Sequence, residues 1–178
     1  MNRIVIAAVI GLAALSSACT ENGSPQPTPT TASDTPTSTS KAAASGLASM
    51  KPCDLLTESE VTSLGLRYPG EQKKVASAER CSWLVSGNGG LAAGIRADKG
   101  AKDLDLRGDK VSKTTIGKFE ATKIEAQDGA KNLCTIVISV TESASVQVIG
   151  NLDLSSTDTA GACERATKAA ELIAPKLS

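Results

Sequence analysis

The sequence predicts an α+β domain in which an antiparallel β-sheet is packed by a short N-terminal helix and a longer C-terminal helix. Three observations support this fold class. A helix-capping motif occupies residues 57–60, apolar residues alternate over 80–97 and 133–151, and an Ala-rich helical pattern covers 158–174. Strands grouped between two helices indicate that the helices cover one face of the sheet. Two disulfides are expected to cross-link the domain.

Residues 1–18 have the pattern of an export signal. Arg3 supplies a positive charge near the N-terminus, residues 4–15 are almost entirely apolar, and small residues follow. The apolar stretch is shorter than the roughly 20 residues that a transmembrane helix requires. We therefore predict that this segment directs export.

Cys19 leaves two processing routes open. A general signal peptidase would cleave after Ala18, because small residues precede that bond. Alternatively, Cys19 is lipidated on sulfur and becomes the mature N-terminus, although Ser16 stands where a lipobox usually has Leu. We expect lipidation of Cys19, because a cysteine directly after such a cleavage site is uncommon by chance. A diacylglyceryl cysteine carries two acyl chains, which suffice for stable membrane anchoring.

Residues 19–46 form the predicted tether. Beyond the cysteine this segment is dominated by Thr, Ser and Pro and has no apolar periodicity, so burial cannot offset the entropy lost on ordering. As a flexible coil it would span roughly 30 Å. The remaining residues, 47–178, have the length of one domain of ordinary size.

The first elements of that domain are a short helix and a β-hairpin. Thr57 and Glu60 form a capping box, and Gly65 can end the helix that they start. Residues 80–86 and 91–97 each alternate between apolar and polar side chains and are joined by a Gly-rich turn, which predicts a hairpin. The predicted inner face of this hairpin consists of Cys81, Trp83, Val85, Leu91, Ala93 and Ile95.

The next segment contains weaker strands and then a second hairpin. Residues 112–126 form one or two weak strands, and their alternation slips between Phe119 and Ile124, which predicts a bulge or a break. Residues 133–141 and 145–151 form the second hairpin. Its predicted inner face consists of Cys134, Ile136, Ile138, Val140, Val146 and Val148.

The last element is a helix over residues 158–174, which ends at Pro175. Its predicted buried stripe consists of Cys163, Ala166, Ala170 and Ile173. The small Ala side chains allow the helix to pack closely on a sheet.

Four cysteines remain once Cys19 is assigned to the anchor. An even number in an exported domain indicates two disulfides, and four cysteines allow three connectivities. We predict the sequential pairing, Cys53–Cys81 and Cys134–Cys163, in which each bridge joins a helical segment to a strand. On the chain-entropy model each bridge would contribute roughly 3–4 kcal/mol. A metal site is not expected, because the chain has no Cys-x-x-Cys motif and no histidine.

Composition excludes several classes of chemistry. Without histidine the chain cannot form a Ser-His-Asp triad, a Cys-His dyad or an imidazole metal site. Its 19 basic and 19 acidic residues balance and aromatic residues make up 2%, which together argue against nucleic-acid binding. We predict no catalytic, metal-binding or cofactor-binding residues and no nucleic-acid partner.

Two aromatic residues and one acidic pair are the remaining candidates for a site. We expect Trp83 to pack in the core against a disulfide, since it lies two positions after Cys81. Tyr68 precedes Pro-Gly and is expected in a surface turn. Asp103 and Asp105 could perform acid–base chemistry only if burial separated their pKa values.

The cysteine pattern resembles that of a known family. The segment 52–66, PCDLLTESEVTSLGL, and the Cys-Ser-Trp of residues 81–83 follow a lipobox-like cysteine and a Ser/Thr/Pro linker. This order resembles a family of actinobacterial cell-surface lipoproteins with a domain of unknown function. The resemblance implies an exported, lipid-anchored domain with paired cysteines, and it implies no catalytic residues. By architecture the domain is also similar to PsbP/Mog1-type domains, which are often binding modules.

We therefore expect a monomeric lipoprotein anchored to the outer face of the cell membrane. Its expected role is that of a non-catalytic binding or accessory module of the cell envelope, with an envelope protein, a lipid or a glycan as partner. The alternative is a hydrolase-type envelope enzyme that uses carboxylates without histidine. A deep pocket lined by acids with perturbed pKa values would favour the enzyme, whereas a shallow groove or an exposed apolar patch would favour binding.

Overall fold

The computed structural model describes residues 46–75 and 78–177 of the chain. The predicted export signal, Cys19 and nearly all of the predicted tether lie outside the described residues. Seven antiparallel strands form one sheet in the order β1-β2-β3-β7-β6-β5-β4. The strands are β1 (Glu71–Val75), β2 (Ala78–Leu84), β3 (Gly90–Arg96), β4 (Gly108–Ile116), β5 (Phe119–Gln127), β6 (Leu133–Thr141) and β7 (Ala144–Asn151).

One helix precedes the strands in the sequence and one follows them, as predicted, and the α+β fold class is confirmed. Within the described residues, helix α1 covers Glu58–Ser63 and helix α2 covers Thr159–Ile173, and short 3-10 helices cover Pro52–Leu55, Ala101–Asp103 and Ala174–Lys176. Residues 46–49 are also helical. Both α-helices contribute buried residues to one large core on the same face of the sheet. We call this the covered face.

Helix α1 begins at the predicted capping box. The Glu60 amide donates to Thr57 Oγ1 at 3.4 Å, and the Thr57 amide donates to Glu60 Oε2 at 2.7 Å. Two backbone donors that the helix itself cannot satisfy therefore have partners. Val61 is fully buried beneath this helix, so the cap directs the chain onto the sheet.

Helix α2 packs its Ala-rich stripe on β6 and β7. The four predicted stripe residues are buried, and two further alanines join them. The buried residues of the helix are Ala162, Cys163, Ala166, Ala169, Ala170 and Ile173. The approach to the sheet is close, because a Cβ at Gly150 of β7 would lie only 2.8 Å from the Ala166 amide nitrogen. Glycine is therefore required at that position.

Both predicted hairpins are present. Strands β2 and β3 pair in antiparallel register, with Trp83 opposite Leu91 and Cys81 opposite Ala93. Strands β6 and β7 pair likewise, and the register shifts between Ser139 and Thr141. The predicted inner residues within these strands face the core, although Val85 and Val140 are only partly buried at its margin.

The bulge or break expected between Phe119 and Ile124 is wrong. Strand β5 runs without interruption through this region, and its residues 121–125 pair with β6 in continuous register. Ala121 belongs to the core on the covered face, whereas Ile124 is buried on the opposite face. The alternation slips because this strand buries apolar residues on both faces.

Strand β1 is an element that was not predicted. All five of its residues are exposed, and its sequence, EQKKV, shows no apolar alternation. It pairs with β2 at one edge of the sheet. Charged side chains on an edge strand disfavour pairing with other chains. The charged composition that kept β1 from being predicted is therefore appropriate for an edge strand.

Candidate functional site

Two disulfides join the covering segments to the sheet, and the predicted pairing is confirmed. Cys53, in the first 3-10 helix, bonds to Cys81 on β2 across a Cα–Cα distance of 4.9 Å. Cys134 on β6 bonds to Cys163 on α2 across 4.8 Å. The bridges close loops of 28 and 29 residues. One bridge attaches the segment before α1 to β2, and the other attaches α2 to β6.

Trp83 packs against the first disulfide, as predicted. Its side chain is 1% exposed, and Cys81 beside it is fully buried. Gly70 lies against both, since a Cβ there would be 2.6 Å from Cys81 Sγ and 2.7 Å from Trp83 Cε2. Tyr68, two positions before that glycine, is 52% exposed, which confirms the predicted surface position.

The face opposite the helices is partly covered by a loop. Residues 97–107, here called the strap, leave β3 and return to the sheet at β4. Ser145 Oγ on β7 donates to the Lys99 carbonyl at 2.8 Å. Ala101 of the strap packs with Ile124 of β5 and Val137 of β6 to form a small second core. The contacts that hold the strap therefore lie on β5, β6 and β7.

The outer surface of β1, β2 and β3 forms what we call the open half. Because side chains alternate along a strand, Cys81 and Trp83 face the helices while their neighbours face outward. The outward side chains of the three strands are those of Glu71, Lys73, Val75, Ala78, Arg80, Ser82, Leu84, Ala92 and Arg96. This surface is mixed, with apolar side chains at its margins and cations in its middle.

A groove of about 580 Å³ crosses the margin of the open half. Tyr68 and Leu84 on its walls are 52% and 53% exposed. Lys73 and Glu71 form an exposed ion pair of 3.0 Å in the same groove. The lining residues are Arg67, Tyr68, Pro69, Glu71, Lys73, Ser82 and Leu84.

A second groove, of about 540 Å³, runs between the strap and β4, β5 and β6. Its charged lining residues are two cations, Lys102 and Lys113, and two acids, Glu120 and Glu142. Its apolar lining comes from Ala101, Leu104 and Leu106. Neither groove combines depth with convergent acids.

Arg80 and Arg96 are half-buried on the open half. Arg80 lies opposite Gly94, and Arg96 follows two positions later on the same strand as that glycine. Burial lowers the pKa of Arg80, and the positive charge of Arg96 lowers it further. Neither guanidinium forms an ion pair with a carboxylate among the described residues.

The carboxylates with shifted pKa values accept hydrogen bonds from neighbouring side chains in the fold. Burial raises the pKa of Glu60, but hydrogen bonds from Lys176 and Thr57 outweigh this effect and lower it. A hydrogen bond from Lys123 lowers the pKa of Glu125, and hydrogen bonds from Ser155 lower that of Asp153. These groups are held ionised in structural contacts.

The two acidic residues proposed from the sequence, Asp103 and Asp105, make contacts within the strap. Asp103 Oδ2 accepts from the Gly100 amide at 3.1 Å, and Asp105 pairs with Arg107 at 2.8 Å. Within residues 46–75 and 78–177, no three acidic or cysteine side chains come together as metal ligands. No helix in that part of the chain has the length and apolar character to cross a membrane.

Arg165 and Lys176 are structural residues that the sequence did not single out. Arg165 Nη1 donates to the carbonyl of Asn88 at 2.8 Å and also to that of Asn151, so it fastens α2 to the ends of β3 and β7. Lys176 Nζ donates to the Leu55 carbonyl at 2.8 Å and also bonds Glu60. Both contacts join segments far apart in the chain, which local patterns cannot reveal.

The open half could have been located from the sequence. The alternation that puts Cys81 and Trp83 inside also puts Arg80 outside, and the alternation of β3 does the same for Arg96. The predicted hairpin already places these two side chains on neighbouring strands, whereas β1, which brings Lys73 opposite Arg80, was not predicted.

The fold and the two faces together define a class of protein: a disulfide-cross-linked α+β domain with one covered and one partly open sheet face. Within this class, the chain belongs to the family described as "protein of unknown function (DUF3558)", whose model matches residues 14–176. No curated protein and no solved structure matches the chain. The expected membership in a family with a domain of unknown function is therefore confirmed, and that family description carries no activity.

Proposed function

We propose that the protein is a lipid-anchored lipoprotein of the extracytoplasmic envelope whose domain binds a partner through the open half of its sheet. The observation that carries this proposal is the pair of disulfides, Cys53–Cys81 and Cys134–Cys163. Structural disulfides form and persist in oxidising compartments outside the cytoplasm. They therefore support the export signal predicted at residues 1–18.

The lipid anchor and the source rest on sequence patterns. Cys19 directly follows the predicted signal, and residues 52–57 carry the Pro-Cys-Asp-Leu-Leu-Thr opening that resembles actinobacterial cell-surface lipoproteins. A diacylated cysteine followed by a tether rich in Thr, Ser and Pro would hold the domain near the outer face of the membrane. This arrangement suits a monomeric binding or accessory module.

A binding role is favoured by the shape and chemistry of the open half. Its groove is shallow and carries two exposed apolar side chains, Tyr68 and Leu84, beside cations. Such mixed surfaces on a rigid sheet are typical of recognition sites. The carboxylate-based hydrolase gains no support, because the acids with shifted pKa values are those engaged by structural partners.

The anchor is tested by expressing the full precursor and its Cys19→Ala variant in an actinobacterial host. After detergent phase separation, we expect the unaltered protein in the detergent phase and the variant in the aqueous phase. A Thr20→Ala variant is the matched control and should behave like the unaltered protein. Retention of the Cys19→Ala variant in the detergent phase would overturn the lipoprotein assignment.

The binding role is tested in the same host with a photo-crosslinking residue at one of two positions. Leu84 lies in the groove of the open half, whereas Lys168 lies on the outer surface of α2. We expect crosslinked adducts to form preferentially from position 84. Equal yields from the two positions would show that the open half has no special role in binding.

A further inference from the structure

The two half-buried arginines of the open half, Arg80 and Arg96, form a cationic pair, and no carboxylate within residues 46–75 and 78–177 forms an ion pair with either of them. The buried Nε atom of Arg96 has no hydrogen-bond acceptor among the described residues. Buried polar groups usually have partners, and each exception calls for an explanation. A pair of guanidinium groups in this condition would gain most from an anion supplied from outside.

The surface between these arginines leaves room for such an anion. Gly94 lies opposite Arg80 on the neighbouring strand and carries no side chain. A Cβ built at Gly94 would lie 3.9 Å from Arg80 Cβ, in van der Waals contact with that side chain. The planar guanidinium presents donors in a fork that matches the oxygens of phosphate or carboxylate groups.

The charges around the pair reinforce this preference. Lys73 on β1 lies opposite Arg80, and Arg67 lines the adjoining groove. The groove contains one carboxylate, that of Glu71, and it is paired with Lys73. Among the described residues of this surface, four cations therefore surround a single acid, although the whole chain has no net charge.

The groove of Tyr68 and Leu84 adjoins the cationic pair. Ser82 lines this groove and is the next outward-facing residue after Arg80 on β2. Lys73 also lines the groove, and it lies directly opposite Arg80 on the neighbouring strand β1. The exposed walls formed by Tyr68 and Leu84 lie on the far side of these two residues. A ligand with an anionic head and a short apolar portion would contact both regions together.

We infer that the open half binds a phosphate-bearing amphiphile of net negative charge, whose head group contacts Arg80 and Arg96 and whose apolar portion lies in the groove of Tyr68 and Leu84. This inference rests on the proposed binding role of the open half and is independent of the lipid anchor. The oxygens of a phosphate group can accept hydrogen bonds from the paired donors of a guanidinium group. The apolar groove distinguishes an amphiphile from a free phosphate ester.

The test uses the full chain with Cys19→Ala, so that no attached lipid competes for the site. Binding of three soluble probes is measured by calorimetry: dihexanoyl-phosphatidylglycerol below its micellar concentration, dihexanoyl-phosphatidylcholine and glycerol 3-phosphate. We expect the first probe to bind at least about tenfold more tightly than each of the other two, since it alone combines a net negative charge with acyl chains. In NMR spectra it should shift the amide signals of Ser82 and Gly94 and leave those of α1 unchanged.

Two variants assign the two parts of the site. Arg80→Gln with Arg96→Gln should weaken binding of phosphatidylglycerol by about tenfold or more, because hydrogen bonds to charged groups are lost. Leu84→Ser should weaken the same probe by about tenfold and leave the weak binding of glycerol 3-phosphate unchanged. The charge-matched control, Arg107→Gln with Lys110→Gln, removes two cations from exposed positions elsewhere and should leave binding unchanged.

Several results would overturn the inference. Equal affinity for glycerol 3-phosphate would exclude the apolar contribution, and equal affinity for phosphatidylcholine would exclude recognition of the net charge. Equal loss of binding in the control variant would indicate nonspecific attraction to the whole chain. If the arginine variant does not fold, the NMR shifts of the unaltered domain decide alone, and shifts confined to other surfaces contradict the site. Absence of lipid binding together with preferential crosslinking at position 84 would refute this ligand class while leaving the proposed binding role in place.

Discussion

The two faces of strands β2 and β3 are formed by alternate residues of the same sequence, yet they differ in burial and in charge. Toward the helices, Trp83 and Leu91 are each 1% exposed and fill the core. Toward solvent, Leu84 is 53% exposed and Arg80 is half-buried without an ion pair among the described residues. The covered face buries apolar side chains, whereas the open half carries, among the described residues, unpaired cations that an external partner could neutralise.

Stability and the proposed binding role should therefore be separable in this domain. Neighbouring residues along one strand point to opposite faces, so substitutions one position apart should affect different properties. Substitutions on the covered face should lower the free energy of unfolding. Substitutions on the open half should leave it nearly unchanged and alter binding.

The largest effect is expected for Trp83→Ala. Removing this buried side chain beside the Cys53–Cys81 bridge should reduce the free energy of unfolding by about 3–5 kcal/mol. The matched control is Leu84→Ala, the next residue, which points to solvent and should cost less than about 0.5 kcal/mol. Urea denaturation measures both, and comparable losses would remove the distinction between the two faces.

The disulfides provide the next test, because both belong to the covered face. Replacing either pair of cysteines by alanine should cost about 3–4 kcal/mol on the chain-entropy model. The two loops have nearly equal lengths, 28 and 29 residues, so the entropic contribution should be nearly the same. A difference above about 1 kcal/mol would show that local packing at one bridge dominates, and a loss below about 1 kcal/mol for either would contradict its structural role.

A smaller effect is expected at the cap of α1. Thr57→Ala removes the acceptor for the Glu60 amide and should cost about 1 kcal/mol. Thr62→Ala is the control within the same helix, since its hydroxyl only donates to the Glu58 carbonyl and should contribute little. Thermal melting compares the two variants, and equal melting temperatures would refute the cap.

Glu60 should make the covered face sensitive to acid. Burial raises its pKa, but the contacts with Lys176 and Thr57 lower it overall, to below its value in the unfolded chain. Stability from this group is therefore present above the unfolded pKa of about 4.3 and is lost as the pH falls. Urea denaturation at pH 6 and pH 3 should show a smaller pH-dependent loss for Glu60→Gln than for the unaltered protein. An identical loss would exclude Glu60 as a source.

The smallest effect on stability is expected on the open half. Arg96→Gln removes one of two neighbouring positive charges and should change the free energy of unfolding by less than about 0.5 kcal/mol. The matched variant is Ile95→Ala, one position earlier on the covered face, where the side chain is 8% exposed and the loss should be about 2–5 kcal/mol. Urea denaturation distinguishes them, and a large loss for Arg96→Gln would show that this arginine has a structural role.

Much of the fold could be predicted because its strongest signals are local. The capping box at Thr57, the alternation in β2, β3, β6 and β7, and the Ala-rich stripe of α2 all depend on residues a few positions apart. Strand β1 was missed because all of its residues are exposed and its sequence has no apolar alternation. The wrong bulge in β5 arose because burial of Ile124 on the second face resembles a phase error in the sequence.

The candidate site was less predictable for a related reason. Tyr68 was correctly expected at the surface, but its groove exists only because β1 and β2 bring Lys73 and Leu84 beside it. Arg80 and Arg96 could each be assigned to an outward position. Their proximity depends on the pairing of β2 with β3, and the contacts of the strap with β5, β6 and β7 leave them uncovered.

By itself, then, the sequence determined the α+β class, most of its strands and helices, and the number and pairing of the disulfides, because periodicity, capping and cysteine count act over short distances or by simple parity. The tertiary structure alone decided that a mostly polar edge strand completes the sheet and that the strap covers one half of the outer face, so that Arg80 and Arg96 lie on the other half. The strap contacts join segments distant in the chain, such as Lys99 and Ser145. No local pattern in the sequence predicts contacts of this kind.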